Sequence, residues 1–376
     1  MGRSLLFVVN DAAFFLSHRL RIALDAREAG YAVQIATMAG PSVAQIKELG
    51  FEHYTIPLSR SGSNPAYEAI AFLSILKLLW KLKPDVLHLV TIKPVLYGGM
   101  AARLAPVNGV VCAVSGLGFV FLRDGIKAAV TRGLVKGMYR LALGKKNLKV
   151  IFQNPDDRDV LLRMKAVSPE QVEMIRGSGV DLSLYPVVSE PEGVPVVCFA
   201  ARLLNDKGIR EFIDAARLLR QRGVEARFVV AGDIDLGNPA SVTEREIEQW
   251  KAEGVVELLG YQKDIAQLFG SVHLIVLPSY REGLPKVLVE AAAAGRAVIT
   301  TDVPGCRDAI DADVTGLLVP VRNVQKLAEA MERLIDDTQL RRAMGRAGRE
   351  LAEREFSIEK IVRQHLDIYA KLEARL

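Results

Sequence analysis

The chain alternates strand-like apolar runs with amphipathic helical stretches along most of its 376 residues. The runs "SLLFVVN", "YAVQIAT", "DVLHLV" and "VVCAVS" lack the period-two pattern of a strand with one solvated face. Such continuous apolar runs indicate a parallel sheet that is covered on both faces. Helical patterns between them, for example over Phe14 to Ala29 and Ala66 to Leu82, complete βαβ units. The alternation therefore predicts an α/β fold with a doubly wound parallel sheet.

The alternation stops once and then begins again. Residues 181–195, "DLSLYPVVSEPEGVP", hold three prolines and several acids, which suit neither a helix nor a strand. We therefore predict two Rossmann-like domains, over 1–185 and 194–355, that face a cleft, and a C-terminal helix over 356–376 that packs back on the first. Ligands of open α/β sheets bind in such crevices. Since no GxGxxG follows the first strand, the usual nicotinamide or flavin fingerprint is missing.

Composition argues against several kinds of site. The three cysteines show no CxxC spacing and the five histidines show no HExxH pattern, so we expect no metal site and no cofactor. The N-terminal segment lacks the features of a signal peptide. The longest uncharged run, Leu104 to Leu122, is broken by Pro106 and several glycines, so it predicts a buried strand instead of a membrane span.

Two carboxylates flank the predicted start of one helix. In "REGLPKVLVE", Glu282 precedes Pro285, which suits a helix start, and Glu290 lies inside the helix. The first-turn amides, beginning with that of Lys286, would be free to bind a phosphate. One carboxylate could then accept from sugar hydroxyls and the other from a ribose. The alternative is that Glu290 favours the helix dipole while Glu282 is solvated.

Two cations follow the first strand of the second domain. Arg202 ends the run "VVCFAAR", and Lys207 precedes the next helix. Fixed cations there could hold a diphosphate and stabilise the charge that grows on a departing nucleoside diphosphate. The alternative is a pair of surface bases. The triplet Asp233-Ile234-Asp235 is interpreted as a loop feature, away from these residues, and not as a metal ligand set.

Five ordered blocks in the second half resemble glycosyltransferase family 4, retaining enzymes of the GT-B fold: "ARLLNDKG", "GYQKDIAQLF", "LPSYREGLPKVLVE", "AAAAGRAVITTDVPGCRDAI" and "GLLVP". The resemblance implies that Arg202 and Lys207 bind the donor diphosphate, that Glu282 meets the transferred sugar, and that Glu290 binds the ribose. It also implies catalysis without a metal. Further donor contacts are implied for Tyr261, Gln262, Gly283, Leu284 and Lys286.

Blocks in the first half narrow the resemblance. "FFLSHRL", "HLVTIKPVLYGG" and "SGLGFVF" are similar to bacterial transferases that extend polyprenyl-diphosphate-linked sugars, N-acetylgalactosaminyltransferases among them. This implies a UDP-sugar donor, with a HexNAc favoured, and a lipid-linked saccharide acceptor. It also implies a peripheral enzyme at the cytoplasmic face of the inner membrane. Ser115 departs from the pattern, since many relatives carry a His there.

Acceptor contacts are predicted in the first domain at His18, His88, Lys93, Ser115 and Gly116. His88 and Lys93 lie near a strand end, where they could bind an acceptor diphosphate, although a structural role for them is the alternative. His18 could instead be a plain surface histidine. The "SGLG" segment suggests close approach of the backbone to a ligand.

The net charge of +5 is concentrated locally. Between Arg123 and Lys149 the chain has eight bases and one acid, which predicts an anionic membrane surface as a partner. The contacts would be made by Lys127, Arg132, Lys136 and Arg140. The helix over Ala66 to Leu82 adds Lys77, Trp80 and Lys81. A core helix with a solvated basic face is the alternative, and nucleic acid is not predicted because no recognition motif accompanies the bases.

Together these features predict a peripheral, retaining glycosyltransferase that moves a sugar from a UDP-sugar to a polyprenyl-diphosphate-linked saccharide. The alternatives are a sugar-nucleotide epimerase of GT-B-like fold, a transferase with a soluble acceptor, and a silent nucleotide-sugar-binding protein. The combination of Arg202, Lys207, Glu282 and Glu290 favours transfer.

Overall fold

The structure is a computed structural model that describes residues 3–58, 64–117, 126–235 and 238–374, and the backbone alone for residues 126–132. The chain divides into two compact units. The first contains residues up to 178 together with those from 359 onward, and the second contains residues 179–358. The assignment of the acceptor to the first domain and of the donor to the second stays a prediction.

The first unit is built on a seven-stranded parallel sheet in the order β3-β2-β1-β4-β5-β6-β7. Its strands are β1 (Arg3–Val9), β2 (Tyr31–Thr37), β3 (Glu52–Thr55), β4 (Val86–Val90), β5 (Gly109–Val114), β6 (Leu148–Phe152) and β7 (Val172–Met174). From β1 the chain first builds outward to β3 and then returns to β4 on the other side. The strand order therefore reverses between β1 and β4, which is where open α/β sheets bind ligands.

Helices connect these strands. They are α1 (Ala12–His18), α2 (Leu20–Glu28), α3 (Val43–Glu48), α4 (Pro65–Leu82), α5 (Ile92–Ala101), α6 (Ile126–Leu143) and α7 (Pro155–Arg163). The single helix predicted over Phe14 to Ala29 is instead two helices, because the chain breaks at Arg19 with φ −131° and ψ −11°. The Arg19 side chain is buried at that break and donates to the His18 carbonyl at 2.9 Å.

The second unit contains a six-stranded parallel sheet in the order β10-β9-β8-β11-β12-β13. Its strands are β8 (Val196–Ala200), β9 (Arg227–Ala231), β10 (Glu257–Gly260), β11 (Leu274–Leu277), β12 (Ala297–Thr301) and β13 (Gly316–Val319). The strand order reverses between β8 and β11. The predicted doubly wound α/β architecture is therefore confirmed in both units.

The helices of the second unit are α8 (Ile209–Gln221), α9 (Glu244–Glu253), α10 (Ile265–Gly270), α11 (Lys286–Ala293), α12 (Val324–Asp336) and α13 (Thr338–Leu351). A final helix, α14 (Ile358–Glu373), lies almost wholly in the first unit. The central strands of both sheets are buried along their whole length, as continuous apolar runs under two helical layers must be.

The segment predicted to interrupt the alternation contains one 3-10 turn, Leu182–Leu184, and is otherwise irregular up to β8. It is nevertheless tied to the second unit. The buried guanidinium of Arg341 donates from Nε and Nη2 to the two carboxylate oxygens of Glu190, each at 3.0 Å. Burial alone would raise the pKa of the Glu190 carboxyl. The hydrogen bonds and the charge of Arg341 outweigh that effect, so the pKa lies below its ordinary value.

The run "VVCAVS", which the sequence assigned to a buried strand, lies in β5 up to Val114, and β5 is fully buried. Among the helices in the described ranges, none has the combination of length and apolar character that crossing a membrane requires.

Candidate donor site in the second unit

The centre of the candidate site is an ion pair at the point where the second sheet reverses its strand order. Lys207 follows β8 and Glu282 follows β11, and these two strands are neighbours in the sheet. Lys207 Nζ is paired with Glu282 Oε1, and Ser279 Oγ donates to the same oxygen at 2.8 Å. Both side chains are largely enclosed. The two residues predicted to meet the diphosphate and the sugar are thus in direct contact.

Two glycines let the surrounding loops approach this pair. Gly208 follows Lys207 at φ +74°, and a Cβ there would stand 2.2 Å from the Pro278 carbonyl oxygen. Gly305, at φ +82°, packs on the other side, where a Cβ would stand 2.4 Å from the carbonyl oxygen of Glu282. Both positions therefore require a residue without a side chain. The Glu282 amide donates to the Pro304 carbonyl at 3.1 Å, which fixes the loop further.

A second carboxyl group lies beside Lys207. Burial raises the pKa of the Asp206 carboxyl, and the neighbouring Lys207 cation opposes that shift. Asp206 Oδ1 is buried and accepts no hydrogen bond from the described residues. The backbone carbonyl of Asp206 accepts a hydrogen bond from the Tyr280 amide at 2.8 Å. This bond joins the Lys207 turn to the Glu282 loop. Lys207 is thus the cation of a site that also contains two carboxyl groups.

Helix α11 begins directly after the Glu282 loop. Pro285 stands just before the first helical residue, at φ −72°, and the Leu288 amide bonds its carbonyl at 3.1 Å. Within the described residues, the amides of Lys286 and Val287 have no hydrogen-bond acceptor. They are therefore available as first-turn donors to an anion.

Glu290 lies one turn into α11 and is buried. Tyr185 Oη donates to its Oε1 at 2.8 Å, and Lys286 Nζ lies 3.2 Å from the same oxygen. Burial and the adjacent carboxylate together raise the pKa of the Tyr185 hydroxyl. The carboxylate is thus held in place from both sides, which is the condition for a fixed acceptor to a ligand hydroxyl.

The structure corrects the interpretation of the Asp233-Ile234-Asp235 triplet. Asp235 Oδ2 lies 2.7 Å from Arg202 Nη1, so the triplet is not remote from the predicted donor residues. The reason is that β9 pairs with β8, which places their carboxyl-terminal loops side by side. Arg202 is half exposed and able to contact a ligand. Among the described residues, no group of three or more His, Cys, Asp and Glu is placed to hold a metal ion.

The remaining predicted donor residues fall into two groups, Tyr261 and Gln262 after β10 and Gly283 and Leu284 in the Glu282 loop. Tyr261 follows β10, two strands from β8, and its side chain is 73% exposed. Gln262 donates from Nε2 to the Leu259 carbonyl at 2.7 Å. Leu284 is buried, and the Gly283 carbonyl lies against Gly305. The exposed Tyr261 ring is the only large aromatic side chain among these residues.

Three of the predicted acceptor residues follow neighbouring strands of the first sheet, Lys93 after β4 and Ser115 and Gly116 after β5, while His18 ends α1. His18 stacks on the Phe14 ring at 4.1 Å, and its Nδ1 lies 2.7 Å from Ser17 Oγ. Lys93 Nζ pairs with Glu68 Oε1 at 2.6 Å. Ser115 follows β5, and its buried hydroxyl has no partner in the described part of the chain. Gly116 adopts φ +123°.

His88 does not fit the predicted contact with an acceptor. It lies within β4, is fully buried, and its Nδ1 is 2.7 Å from the hydroxyl of Tyr369 in α14. Its ring lies 5.6 Å from that of His365, which is also in α14. Enclosure by α14 leaves the imidazole no route to a ligand. Its contacts are those of a structural residue.

The buried guanidinium of Arg19 lies near the buried imidazoles of His88 and His365. Burial lowers the pKa of His365 to about 3 and that of His88 well below its ordinary value, and the Arg19 cation adds to both shifts. Burial also lowers the pKa of Arg19 to about 10. His365 Nδ1 donates to the Ile361 carbonyl at 2.8 Å, which fixes the tautomer and leaves Nε2 without a proton. Both imidazoles are therefore neutral in the folded protein.

The free energy of unfolding is expected to fall when the pH is lowered from 7.5 to 5. Unfolded His binds a proton near pH 6.5 but these two do not, so the unfolded state takes up more protons below that pH. Each imidazole contributes up to about 1.4 kcal/mol per pH unit. Urea unfolding at several pH values measures this slope. His365→Leu should reduce this slope, and an unchanged slope in His365→Leu would contradict the assignment.

Several residues of the site escaped the sequence prediction. In the second unit they are Ser279, Asp235 and Tyr185, which hold Glu282, Arg202 and Glu290. Ser279 could have been noticed, since it stands three residues before Glu282 at a strand end. Tyr185 is 105 residues from Glu290 and no local pattern connects the two.

One further residue of interest lies at the reversal point of the first sheet. Thr91 follows β4 at φ +75°, a conformation that β-branched residues rarely adopt. Its Oγ1 donates to Asn10 Oδ1, beyond β1, at 3.1 Å. Strained backbone of this kind clusters at functional sites. Nothing in the local sequence of Thr91 predicts it.

Comparison with known proteins is consistent with this geometry. The model for glycosyl transferases group 1 matches residues 185–351, which contain the whole candidate donor site. The model described as glycosyl transferase 4-like matches residues 4–154 of the first half.

The chain is 29% identical over 310 residues to the N,N'-diacetylbacillosaminyl-diphospho-undecaprenol alpha-1,3-N-acetylgalactosaminyltransferase of Campylobacter jejuni, covering 79% of this chain and 80% of that protein. It is 26% identical over 315 residues to the UDP-Gal:alpha-D-GlcNAc-diphosphoundecaprenol alpha-1,3-galactosyltransferase of Escherichia coli, covering 80% and 78%.

Its fold is similar to the solved structure of sucrose-phosphate synthase from Thermosynechococcus elongatus, with a TM-score of 0.81, 20% identity and full coverage of both chains. The predicted GT-B fold and the predicted family are confirmed. On the GT-B fold, the chain therefore combines a glycosyl transferase 4-like first half with a glycosyl transferases group 1 second half.

Proposed function

We propose that this protein is a retaining, metal-independent transferase that moves a HexNAc from a UDP-sugar to a polyprenyl-diphosphate-linked saccharide in bacterial glycan assembly. The observation that carries the proposal is the Lys207–Glu282 ion pair, held by Ser279 where the second sheet reverses. It joins, at one point, a cation suited to a diphosphate and a carboxylate suited to a sugar hydroxyl. The first-turn amides of α11, which can donate hydrogen bonds to a phosphate, follow directly after the Glu282 loop.

Binding of the donor would exchange partners within this pair. A diphosphate offers Lys207 a stronger partner than one carboxylate, with further hydrogen bonds from the α11 amides and from half-exposed Arg202. Glu282, released from Lys207 and still held by Ser279, would accept from hydroxyls of the sugar. Glu290 would accept from the ribose, and the exposed Tyr261 ring would lie against the base. The complete UDP-sugar thus gives each of these side chains a partner: the diphosphate, the sugar, the ribose and the base.

In the transfer step an acceptor hydroxyl oxygen bonds to the anomeric carbon while the bond from that carbon to the β-phosphate oxygen breaks. The acceptor proton passes to the departing phosphate on the same face of the sugar, so the configuration is retained. Negative charge grows on the leaving diphosphate, where Lys207 and Arg202 stabilise it. This route needs no protein nucleophile.

The nature of the donor and acceptor is supported by the two relatives. One is named for a UDP-Gal donor, and both are named for acceptors on diphosphoundecaprenol. The acceptor site is placed in the first unit at the sheet reversal, with His18, Lys93, Ser115 and Gly116 as contacts. The Ser115 hydroxyl, which has no hydrogen-bond partner among the residues that the structure describes, supports this proposal. Since the acceptor is lipid-linked, we place the enzyme peripherally at the cytoplasmic face of the inner membrane.

The anionic membrane surface is the proposed partner of the basic helix α6. Arg140 is exposed at its last turn and donates to the Met164 carbonyl at 2.9 Å, and Lys136 is half-buried. The side chains of Lys127 and Arg132, also predicted to contact lipid, lie outside the described residues. Bases near an anionic surface contribute about 1 kcal/mol each to binding.

The function is tested with a panel of UDP- and GDP-sugars and a polyprenyl-diphosphate-linked sugar acceptor. We expect transfer from a UDP-HexNAc, an α-linked product by NMR and full activity in EDTA. A β-linked product or loss of activity in EDTA would contradict the mechanism. Incubation of the enzyme with UDP-sugar alone serves as the control. An epimer formed without acceptor would instead indicate the epimerase alternative.

A further inference from the structure

Helix α4 carries an unusual number of large apolar side chains on its outer face. Tyr67, Ile70, Leu73 and Trp80 are between 51% and 69% exposed, whereas the opposite face, which includes Ile75, is buried. The spacing of Ile70, Leu73 and Trp80 places them on one side of the helix. In the second unit, exposed apolar residues such as Val314 and Val321 lie in loops. We refer to Tyr67, Ile70, Leu73, Lys77 and Trp80 as the α4 face.

The sequence segment that contains α4 is basic. From residue 64 to residue 149 the sequence contains thirteen Lys and Arg against three Asp and Glu. Of those three acids, Glu68 is paired with Lys93 and Asp85 accepts from Ser4 and Asn108. The third, Asp124, is outside the described residues. Helix α4 itself has one acid, Glu68, which is paired, and two bases, Lys77 and Lys81.

Helix α6, in the same helical layer, also has exposed apolar side chains close to bases. Helix α4 packs on α5, and α5 packs on α6. On α6, Leu134 and Leu141 are more than half exposed and alternate with Lys136 and Arg140. The layer thus presents apolar side chains between bases over two of its helices.

We propose that the α4 face inserts its apolar side chains into the headgroup region of an anionic lipid bilayer. An amphipathic helix with apolar residues flanked by Lys binds in the plane of such an interface. Trp80 suits this depth because its ring is apolar and its N–H is polar. Lys77 and Lys81 would meet lipid phosphates. The proposal deepens the proposed function, since a lipid-linked acceptor requires the enzyme at that surface, and it rests on that function for its biological sense.

The fluorescence of Trp80 can report insertion of the α4 face into a bilayer. It contains two tryptophans, and Trp250 is 4% exposed in the core of the second unit while Trp80 is 55% exposed on α4. A quencher within the bilayer therefore reaches Trp80 alone if the α4 face is inserted. With phosphatidylglycerol vesicles that contain brominated phosphatidylcholine, we expect Trp80 emission to shift to the blue and to be quenched. Vesicles of phosphatidylcholine alone should leave the emission unchanged.

The contribution of the apolar residues is tested by Ile70→Ser with Leu73→Ser, which leaves Trp80 in place. We expect at least a tenfold loss of vesicle affinity by cosedimentation. Val314→Ser with Val321→Ser, the matched control on the second unit, should bind like the wild type. The triple variant Lys127→Gln, Arg132→Gln, Lys136→Gln should weaken binding at low salt, but the bound fraction should still show quenched Trp80.

Two outcomes would overturn the proposal. If the protein sediments with vesicles while Trp80 remains unquenched, another surface makes the contact. If wild-type protein is a dimer that Ile70→Ser with Leu73→Ser converts to a monomer, the α4 face is a protein interface. Transfer to a short-chain, water-soluble polyprenyl-diphosphate acceptor should be unchanged in this variant. That assay separates the two proposals, because absence of transfer in the wild type contradicts the function and leaves the vesicle result standing.

Discussion

Lys207→Ala is expected to lower kcat by about 10² to 10³-fold, the range that follows loss of one fixed electrostatic contact to a developing negative charge. The reason lies in the placement of Lys207. It is the cation nearest to Glu282 and stands at the first turn after β8, where the second sheet reverses. Arg202 does not replace it, because in the proposed complex Arg202 makes its own contact with the diphosphate, on the side where it is paired with Asp235. Initial rates with saturating UDP-sugar measure the effect.

The control must separate loss of a charge from loss of the fold. Lys251 forms a comparable ion pair, 2.7 Å from Glu248, on the exposed surface of α9. Lys251→Ala should therefore retain wild-type kcat, and both variants should unfold at similar urea concentrations. Near-normal turnover in Lys207→Ala would contradict the diphosphate role.

A double-mutant cycle tests the exchange of partners proposed for the ion pair. Glu282→Gln keeps the shape of the side chain and an oxygen for Ser279 but removes the charge that holds Lys207 in the free enzyme. If the pair forms only before the donor binds, Glu282→Gln should bind UDP more tightly while turning over more slowly. Non-additive effects on UDP affinity in the double variant would support direct contact.

The sequence was sufficient to predict the architecture because parallel strands buried on both faces leave continuous apolar runs. Runs such as "DVLHLV" and "LIVLPS" became β4 and β11 with the expected burial. The break at Arg19 was missed because a buried arginine and an ordinary helical arginine have the same local pattern. Its burial depends on residues of α14, more than 300 positions later in the chain.

Residues of the candidate site likewise differ in whether the local sequence is enough to predict them. Lys207 and Glu282 were predictable, because each follows a predicted strand and the ends of parallel strands meet at one edge. The role of His88 was not, because the strand-end position says nothing of Tyr369, whose hydroxyl occupies its Nδ1. The Arg202–Asp235 contact depends on which strands are neighbours, and a single sequence does not define strand order.

Gly305→Ala is expected to lower kcat by about a hundredfold, because a displacement of roughly 1 Å in a positioning group can cost that much. The added Cβ would stand 2.4 Å from the Glu282 carbonyl oxygen and 2.7 Å from that of Gly283. Since backbone atoms cannot swing aside as side chains do, the Glu282 loop must move as a whole. The carboxylate would then lose its position relative to Lys207.

Gly223→Ala is the matched control for this substitution. Gly223 adopts φ +77°, close to the +82° of Gly305, but a Cβ there would meet no atom within 4 Å. Both variants therefore share the left-handed backbone cost of about 1 to 2 kcal/mol, and only Gly305→Ala adds a collision. Steady-state rates well below the unfolding temperature should show wild-type kcat in Gly223→Ala. Equal rates in the two variants would mean that the position of the Glu282 loop does not limit turnover.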